Sequence, residues 1–341
     1  MKLNFIKNLL LSILIISLYS CKETDRKIKN SEITLNWSNF KETENLNGIK
    51  MQSISDSLFI PSTMYIVGDY LFVSERTSGA IMHIANIRDN KYLGMYGNRG
   101  TGPGEVLNSW KFFSPDNKTI GIFDPELGKA LTYNIDTILQ DNRHNHEYIH
   151  EGMLHSNGAT IQGNEMYYLN SLTQPEARLY SFNLKETGKT GKKGSIPELD
   201  KPYPGLTPLE ESITTSYAQL TNRGEIFVIS YYNIPLVTIY NLDKGKDLSI
   251  SGLDKMPPPE LFGELRYFIS TFVSEKYIYL LYIENKTEFD YTTSTILVLD
   301  HEGNPVNKFL LDMEIFQLAV QQDSTIYGLT EDYFIVKFEM N

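Results

Sequence analysis

His144, His146, His150 and His155 fall within twelve residues, with Glu147 and Glu151 between them. Imidazole and carboxylate form a ligand set for zinc and similar cations, and on an extended segment His144 and His146 would share one face. A structural zinc site usually has better-defined spacing and exposed loops tolerate His freely, so a solvated loop, a metal site and a ligand contact all stand as readings. Nucleophilic chemistry has less to work with. The chain has no GxSxG, the pattern that sets a serine on a strained elbow, and its one cysteine is Cys21, near the N-terminus. The expectation is no catalytic residue, no metal and no cofactor.

A second set of residues could bind without reacting. Ser62, Ser109, His155, Ser216, Ser270 and Gln317 each stand near the start of a strand in successive copies of a repeat. If those strands line a channel, hydroxyls, an imidazole and an amide would suit a neutral polar ligand such as a glycan or peptide. Channel water is the alternative occupant. Glu75, Asp124 and Asn170 end the second strand in three successive copies and read as turn formers or ligand contacts.

The element that must position these residues is a strand pair. Residues 224–243 hold an apolar run from Ile226 to Ile229, a polar break, then an alternating run ending at Asp243, which reads as two antiparallel strands. The pattern recurs with markers at Leu71, Ile120, Met166, Ile226, Ile278 and Ile326, in steps of 49, 46, 60, 52 and 48 residues. A period near fifty with several short strands per unit marks an all-β, six-bladed β-propeller. The long step coincides with a Gly-, Lys- and Pro-rich stretch, Lys185 to Pro208, expected as a surface insertion. The last repeat stops after its third strand, and an unjoined blade would expose edges. An N-terminal strand, from Ile33 to Trp37 or from Gly48 to Ile54, is expected to complete it.

Composition narrows the partners. The net charge is −11, or −13 without Lys2 and Lys7, and no Lys/Arg run forms a stripe. Nucleic acid is therefore not an expected partner. An aromatic content of 12% with 22 Tyr fits strands that pack rings while keeping hydroxyls hydrated.

At the N-terminus, Lys2 and Lys7 precede an apolar segment from Leu9 to Leu18, too short for a comfortable membrane span. Leu18-Tyr19-Ser20-Cys21 resembles the lipobox of bacterial lipoproteins, with an aliphatic residue at −3, a small residue at −1 and the cysteine that is acylated; Tyr19 replaces the usual small residue at −2. The resemblance implies a signal peptide over 1–20, lipid attachment at Cys21, and a lipidated tether over 21–47 carrying at most one strand. The propeller then occupies 48–341. Lys22-Glu23-Thr24-Asp25 looks like the surface-export signal of Bacteroidetes-type lipoproteins, interrupted by Thr24.

Gly97 to Glu105, GNRGTGPGE, follows an outer strand and precedes the next inner one. It resembles the inter-blade glycine element of NHL-like and TolB-like six-bladed propellers, which include lipoproteins of Bacteroidetes. This resemblance implies a six-bladed propeller lipoprotein, largely of unassigned biochemical function, and carries no catalytic residue across. Taken with the lipobox, the expectation is an outer-membrane lipoprotein of the cell envelope, facing the periplasm or the cell surface, whose function is non-catalytic binding, or interaction with an envelope protein, through one propeller face. A glycan- or lactone-directed enzyme on the same scaffold is the alternative.

Overall fold

The structure is a computed structural model; it describes residues 26–29, 31–76, 79–109, 111–169, 177–186, 190–207, 210–211, 217–287 and 293–340. Three short N-terminal strands come first: β1 (Ile33–Leu35), β2 (Thr43–Leu46) and β3 (Gly48–Lys50). Blade 1 is β4 (Pro61–Val67), β5 (Tyr70–Glu75), β6 (Met82–Asn86) and β7 (Lys91–Tyr96). A two-stranded link, β8 (Asn98–Arg99) with β9 (Glu105–Val106), leads to blade 2: β10 (Lys111–Asp116), β11 (Thr119–Asp124), β12 (Lys129–Asn134) and β13 (His146–Ile149). Blade 3 is β14 (Ala159–Gln162), β15 (Glu165–Leu169), β16 (Leu179–Asn183) and β17 (Thr190–Lys193). Blade 4 is β18 (Ala218–Arg223), β19 (Ile226–Tyr231), β20 (Leu236–Asn241) and β21 (Lys246–Gly252). Blade 5 is β22 (Leu265–Val273), β23 (Tyr277–Thr287), β24 (Thr293–Asp300) and β25 (Pro305–Ile315). Blade 6 is β26 (Gln317–Gln321), β27 (Thr325–Leu329) and β28 (Ile335–Glu339), with β3 as its outer strand. This is a six-bladed β-propeller.

The second strand of each blade is the most buried because sheets pack on both of its faces. Leu71, Ile120, Met166, Ile278 and Ile326 are fully buried. The apolar core lies between blades, in clusters that each join neighbouring sheets. Each such side chain contributes about 1.5–3 kcal/mol of burial. The turns joining strands one and two repeat a left-handed glycine, Gly68, Gly163 and Gly224 at φ 59°, 58° and 54°, as tight hairpins between twisted strands require.

The two N-terminal candidates divide between blades. β3 pairs antiparallel with β28, so residues from both ends of the described chain share blade 6. β1 instead adds in parallel to the outer edge of blade 4, and β2 does the same at blade 5. Before β1, Ile28 bridges Leu199 and Lys29 N–H donates to the Glu198 carbonyl at 2.8 Å. Residues 27–29 and 31–50 thus run as a belt around the rim from the blade 3 tail to blade 6, and most of the described stretch read as a tether is bound to the propeller. Residues 185–208 are likewise tied down where described. They supply β17, and then Tyr203, buried, stacks on Phe262 at 3.8 Å.

Gly97 to Glu105 closes the passage from blade 1 to blade 2. A Cβ on Gly97 (φ 74°) would stand 2.1 Å from the Ile81 side chain, so only glycine fits. Arg99 donates to the Ala80 and Leu107 carbonyls, while Lys129 Nζ donates to those of Gly102 and Glu105, both at 3.0 Å. The loop is held by its own Arg99 reaching carbonyls on either side of it and by Lys129 on two of its carbonyls, with no helix following to cradle a phosphate.

Candidate binding site in the propeller channel

Cross-strand register sets the levels of the channel. In every blade, the residue three after the second-strand marker pairs with one residue of the innermost strand. Those partners are Thr63, Lys111, Gly158, Leu220, Ser270 and Gln317. Contacts between adjacent blades support one shared level. A Cβ on Gly158 would lie 3.4 Å from Leu220, and Ser270 Oγ is 3.4 Å from Gln317 Oε1.

Two of the six residues singled out from sequence, Ser270 and Gln317, stand together on this level. Ser62 lies beside a register shift in β4, with its hydroxyl 2.8 Å from that of Ser74. Ser109 precedes β10 and donates to the Ile81 carbonyl of blade 1 at 3.1 Å. His155 precedes β14 by four residues, exposed and left-handed at φ 60°. Ser216 and Asn170 lie outside the described residues, as does Cys21. The strand starts hold the chain between blades as often as they face the channel, because the connection from an outer strand occupies the residues before each inner strand.

Glu75 and Asp124 are structural groups. Glu75, buried, accepts from Phe59 N–H and sits 3.2 Å from His83 Nε2, and His83 Nδ1 is 2.9 Å from the Tyr92 hydroxyl. Burial holds the His83 imidazole below its usual range against the opposing pull of Glu75. A neutral ring with its proton on Nε2, facing Glu75 outside hydrogen-bonding geometry, accepts from Tyr92 at Nδ1. Asp124 accepts from the backbone N–H groups of Leu107, Asn108, Glu126 and Leu127.

The four histidines separate onto different neighbours. His144 lies edge-on to Tyr133 and against Gly104, His146 lies beside Tyr148, and His150 stacks on Phe182 at 4.4 Å, where burial pulls its ring below the ordinary range. Residues His146 to His150 also spell HExxH, a pattern the expectation of no metal passes over. It holds zinc when both histidines lie one turn apart on a helix. Here residues 146–149 are strand β13, which sets His146 and His150 about 13 Å apart along the chain. Glu147, the general base of that pattern, accepts from Gly104 N–H at 2.5 Å and pairs with Lys129 at 3.5 Å. Among the described residues, no three His, Cys, Asp or Glu side chains gather as a metal site.

A concavity lies at the other end of the channel, where the turns between strands one and two converge. A cavity of about 300 Å³ there is lined by Tyr65, Phe272, Arg223, Glu275, Asn117 and Asp323, among others. Its apolar side is Tyr65 against Phe272, with ring centroids 5.7 Å apart. Burial pushes the Tyr65 phenol up to about 12, although the Arg223 charge works against it, so the ring presents a neutral hydroxyl. Arg223 spans the mouth from blade 4, donating at 2.8 Å to Asn117 of blade 2 and at 2.8 Å to Glu275 of blade 5. Gln321 of blade 6 reaches the Gly68 carbonyl and Asp69 of blade 1, and Tyr279 of blade 5 reaches Asp323 of blade 6 at 3.0 Å. Aromatic surface rimmed by fixed amide, carboxylate and guanidinium groups is the chemistry of a site that binds polar organic ligands. Sequence reading missed it because Asn117, Glu275 and Asp323 sit in turns and Arg223 at a strand end, where polar side chains signal only a reversal of the chain, while Tyr65 and Phe272 read as ordinary strand aromatics.

No family model matches the chain, and no curated protein matches it. Solved structures do. A protein named as exported from Bacteroides fragilis is 14% identical, over 90% of this chain and 98% of that one, with a TM-score of 0.55. A member of the DUF4221 family from Bacteroides vulgatus is 10% identical, over 94% and 99% of the two chains, with a TM-score of 0.57. At these identities the likeness is one of fold, over nearly the whole length of both partners.

Proposed function

We propose that this chain is an extracytoplasmic binding module, anchored to a membrane by acylation of Cys21, that captures a polar organic ligand at the turn end of its propeller channel. The single observation carrying the reading is the cavity of about 300 Å³ between Tyr65, Phe272 and Arg223. Its polar groups are already bonded to one another across blades, an arrangement that positions a ligand rather than transforms it. A glycan or a peptide fits that mix of ring faces and fixed hydrogen-bonding groups.

Export is supported by the lipobox-like Leu18 to Cys21 and by the name of the Bacteroides fragilis neighbour. The belt adds a geometric argument. Arg26 stacks on Tyr203 and Lys27 N–H donates to the Asp200 side chain at 2.9 Å, both in the segment after blade 3, so the chain from Cys21 to Lys27 spans at most about 20 Å. An acyl anchor at Cys21 therefore holds the rim at blades 3 and 4 close to the bilayer, with the propeller on its edge and both channel mouths clear. Outer-membrane placement, facing the surface or the periplasm, is the compartment this reading favours.

The test is a glycan array and a peptide library probed with the full chain and with Tyr65→Ala and Arg223→Ala. A hit retained by the full chain and lost in both variants supports the site, whereas a hit indifferent to both sends the search elsewhere on the propeller. Protease shaving of intact cells, with Cys21→Ala as control, decides the facing.

A further inference from the structure

We infer that the channel interior, away from the turn-end cavity and independent of it, carries an anion-binding position built on Lys111 Nζ and Gln219 Nε2 and suited to a carboxylate. Both atoms are buried and have no hydrogen-bond partner among the described residues. Gln219 as a whole is only 6% exposed. Unpaired buried donors are uncommon because each forfeits its hydration, and an unpaired ammonium forfeits most.

Their placement gives the two donors a common purpose. Lys111 opens β10, the innermost strand of blade 2, and Gln219 is the second residue of β18, the innermost strand of blade 4. Between them blade 3 contributes Gly158, which has no side chain and lies against Leu220. An ammonium and an amide NH2, both donors, thus stand on the inner strands either side of this glycine.

Among the described residues, no group on the strands packed against β10 neutralises the amine. On the strands packed against β10, β4 offers the phenol of Tyr65, β14 has no ionisable side chain, and β11 offers Asp124, already accepting four backbone hydrogen bonds. Burial is the sole cause that lowers the Lys111 amine, to about 7. A carboxylate would supply the missing charge and the missing acceptors together, whereas a neutral amide of the same shape would supply acceptors alone.

The experiment follows the amine itself. The full chain is labelled with [13Cε]lysine, and the Lys111 signal, identified by its loss in Lys111→Met, is titrated in buffer, in acetate and in acetamide. Acetate is expected to raise the midpoint by about one unit, a tenfold preference for the charged amine. Acetamide should leave it unmoved, and Gln219→Leu should weaken acetate about tenfold. A midpoint that acetate does not move, or that acetamide moves equally, overturns the assignment. Should Lys111→Met fail to fold, Lys111→Gln supplies the signal assignment, and the Gln219→Leu comparison stands on its own.

Discussion

Replacing Lys111 with methionine is expected to make the protein more stable near and below neutral pH. Lysine and methionine are similar in length, so the substitution keeps the packing of the stem and removes the ammonium. Burial takes the amine from 10.5 to about 7. That difference corresponds to roughly 5 kcal/mol between the charged group in water and in the fold. Because the residue as a whole is only partly buried, solvent near the stem reduces the effect to about 2–4 kcal/mol. The folded value lies below the unfolded one, so between about 7 and 10.5 the unfolded chain holds the extra proton and stability rises with pH. Below that window the whole penalty is present, and above it none is. Guanidinium unfolding at several pH values should therefore show the variant ahead by a few kcal/mol in mild acid, with the gap closing as pH rises through the window. A variant that matches the parent in acid, or a gap that does not change with pH, refutes the view of Lys111 as an unpaired buried amine. A stabilising substitution that also abolishes the response to acetate would be the signature of a group kept for binding at the expense of stability.

Gly97→Ala should lower stability by about 2–4 kcal/mol, since the methyl meets Ile81 in a left-handed backbone, whereas Gly68→Ala, at φ 59° with open space around it, should lose about 1 kcal/mol; thermal unfolding of the two variants separates clash from backbone strain. A chain starting at residue 48 keeps the outer strand of blade 6 and loses only β1 and β2, while one starting at residue 51 loses β3 as well. The second should melt at markedly lower temperature, and equal melting would show that blade 6 does not need its N-terminal strand. Because burial holds the His83 ring below its ordinary value, stability present above about pH 6.5 should be lost on acidification through the depressed folded value. His83→Gln should flatten that loss, as read from unfolding midpoints across the acid range.

How far the sequence reached can be judged element by element. The marker runs from Leu71 to Ile326 are buried on both faces, and the resulting apolar period near fifty carries blade number and strand pattern without any structure. The need for a strand to finish the last blade is equally legible, because an incomplete sheet leaves unpaired backbone groups. Two segments could supply it, and their short polar-apolar alternation is alike; only the pairing of Gly48 to Lys50 with β28, and of Ile33 to Leu35 with β21, told them apart.

The site was much less legible. Ser62, Ser109, His155, Ser216, Ser270 and Gln317 were chosen for their place in the repeat, and register puts Ser270 and Gln317 on one level of the channel. HExxH was present in the letters, but its chemistry belongs to a helix, and the strand pairing of His146 to Ile149 with β12 removes it. Local pattern determines which residues prefer to be strands and how many blades they make, because burial and alternation are properties of neighbours in sequence. Which side chains meet across a channel depends on residues about fifty to a hundred positions apart, as with Arg223, Glu275 and Asn117. Only closure of the propeller brings those groups together.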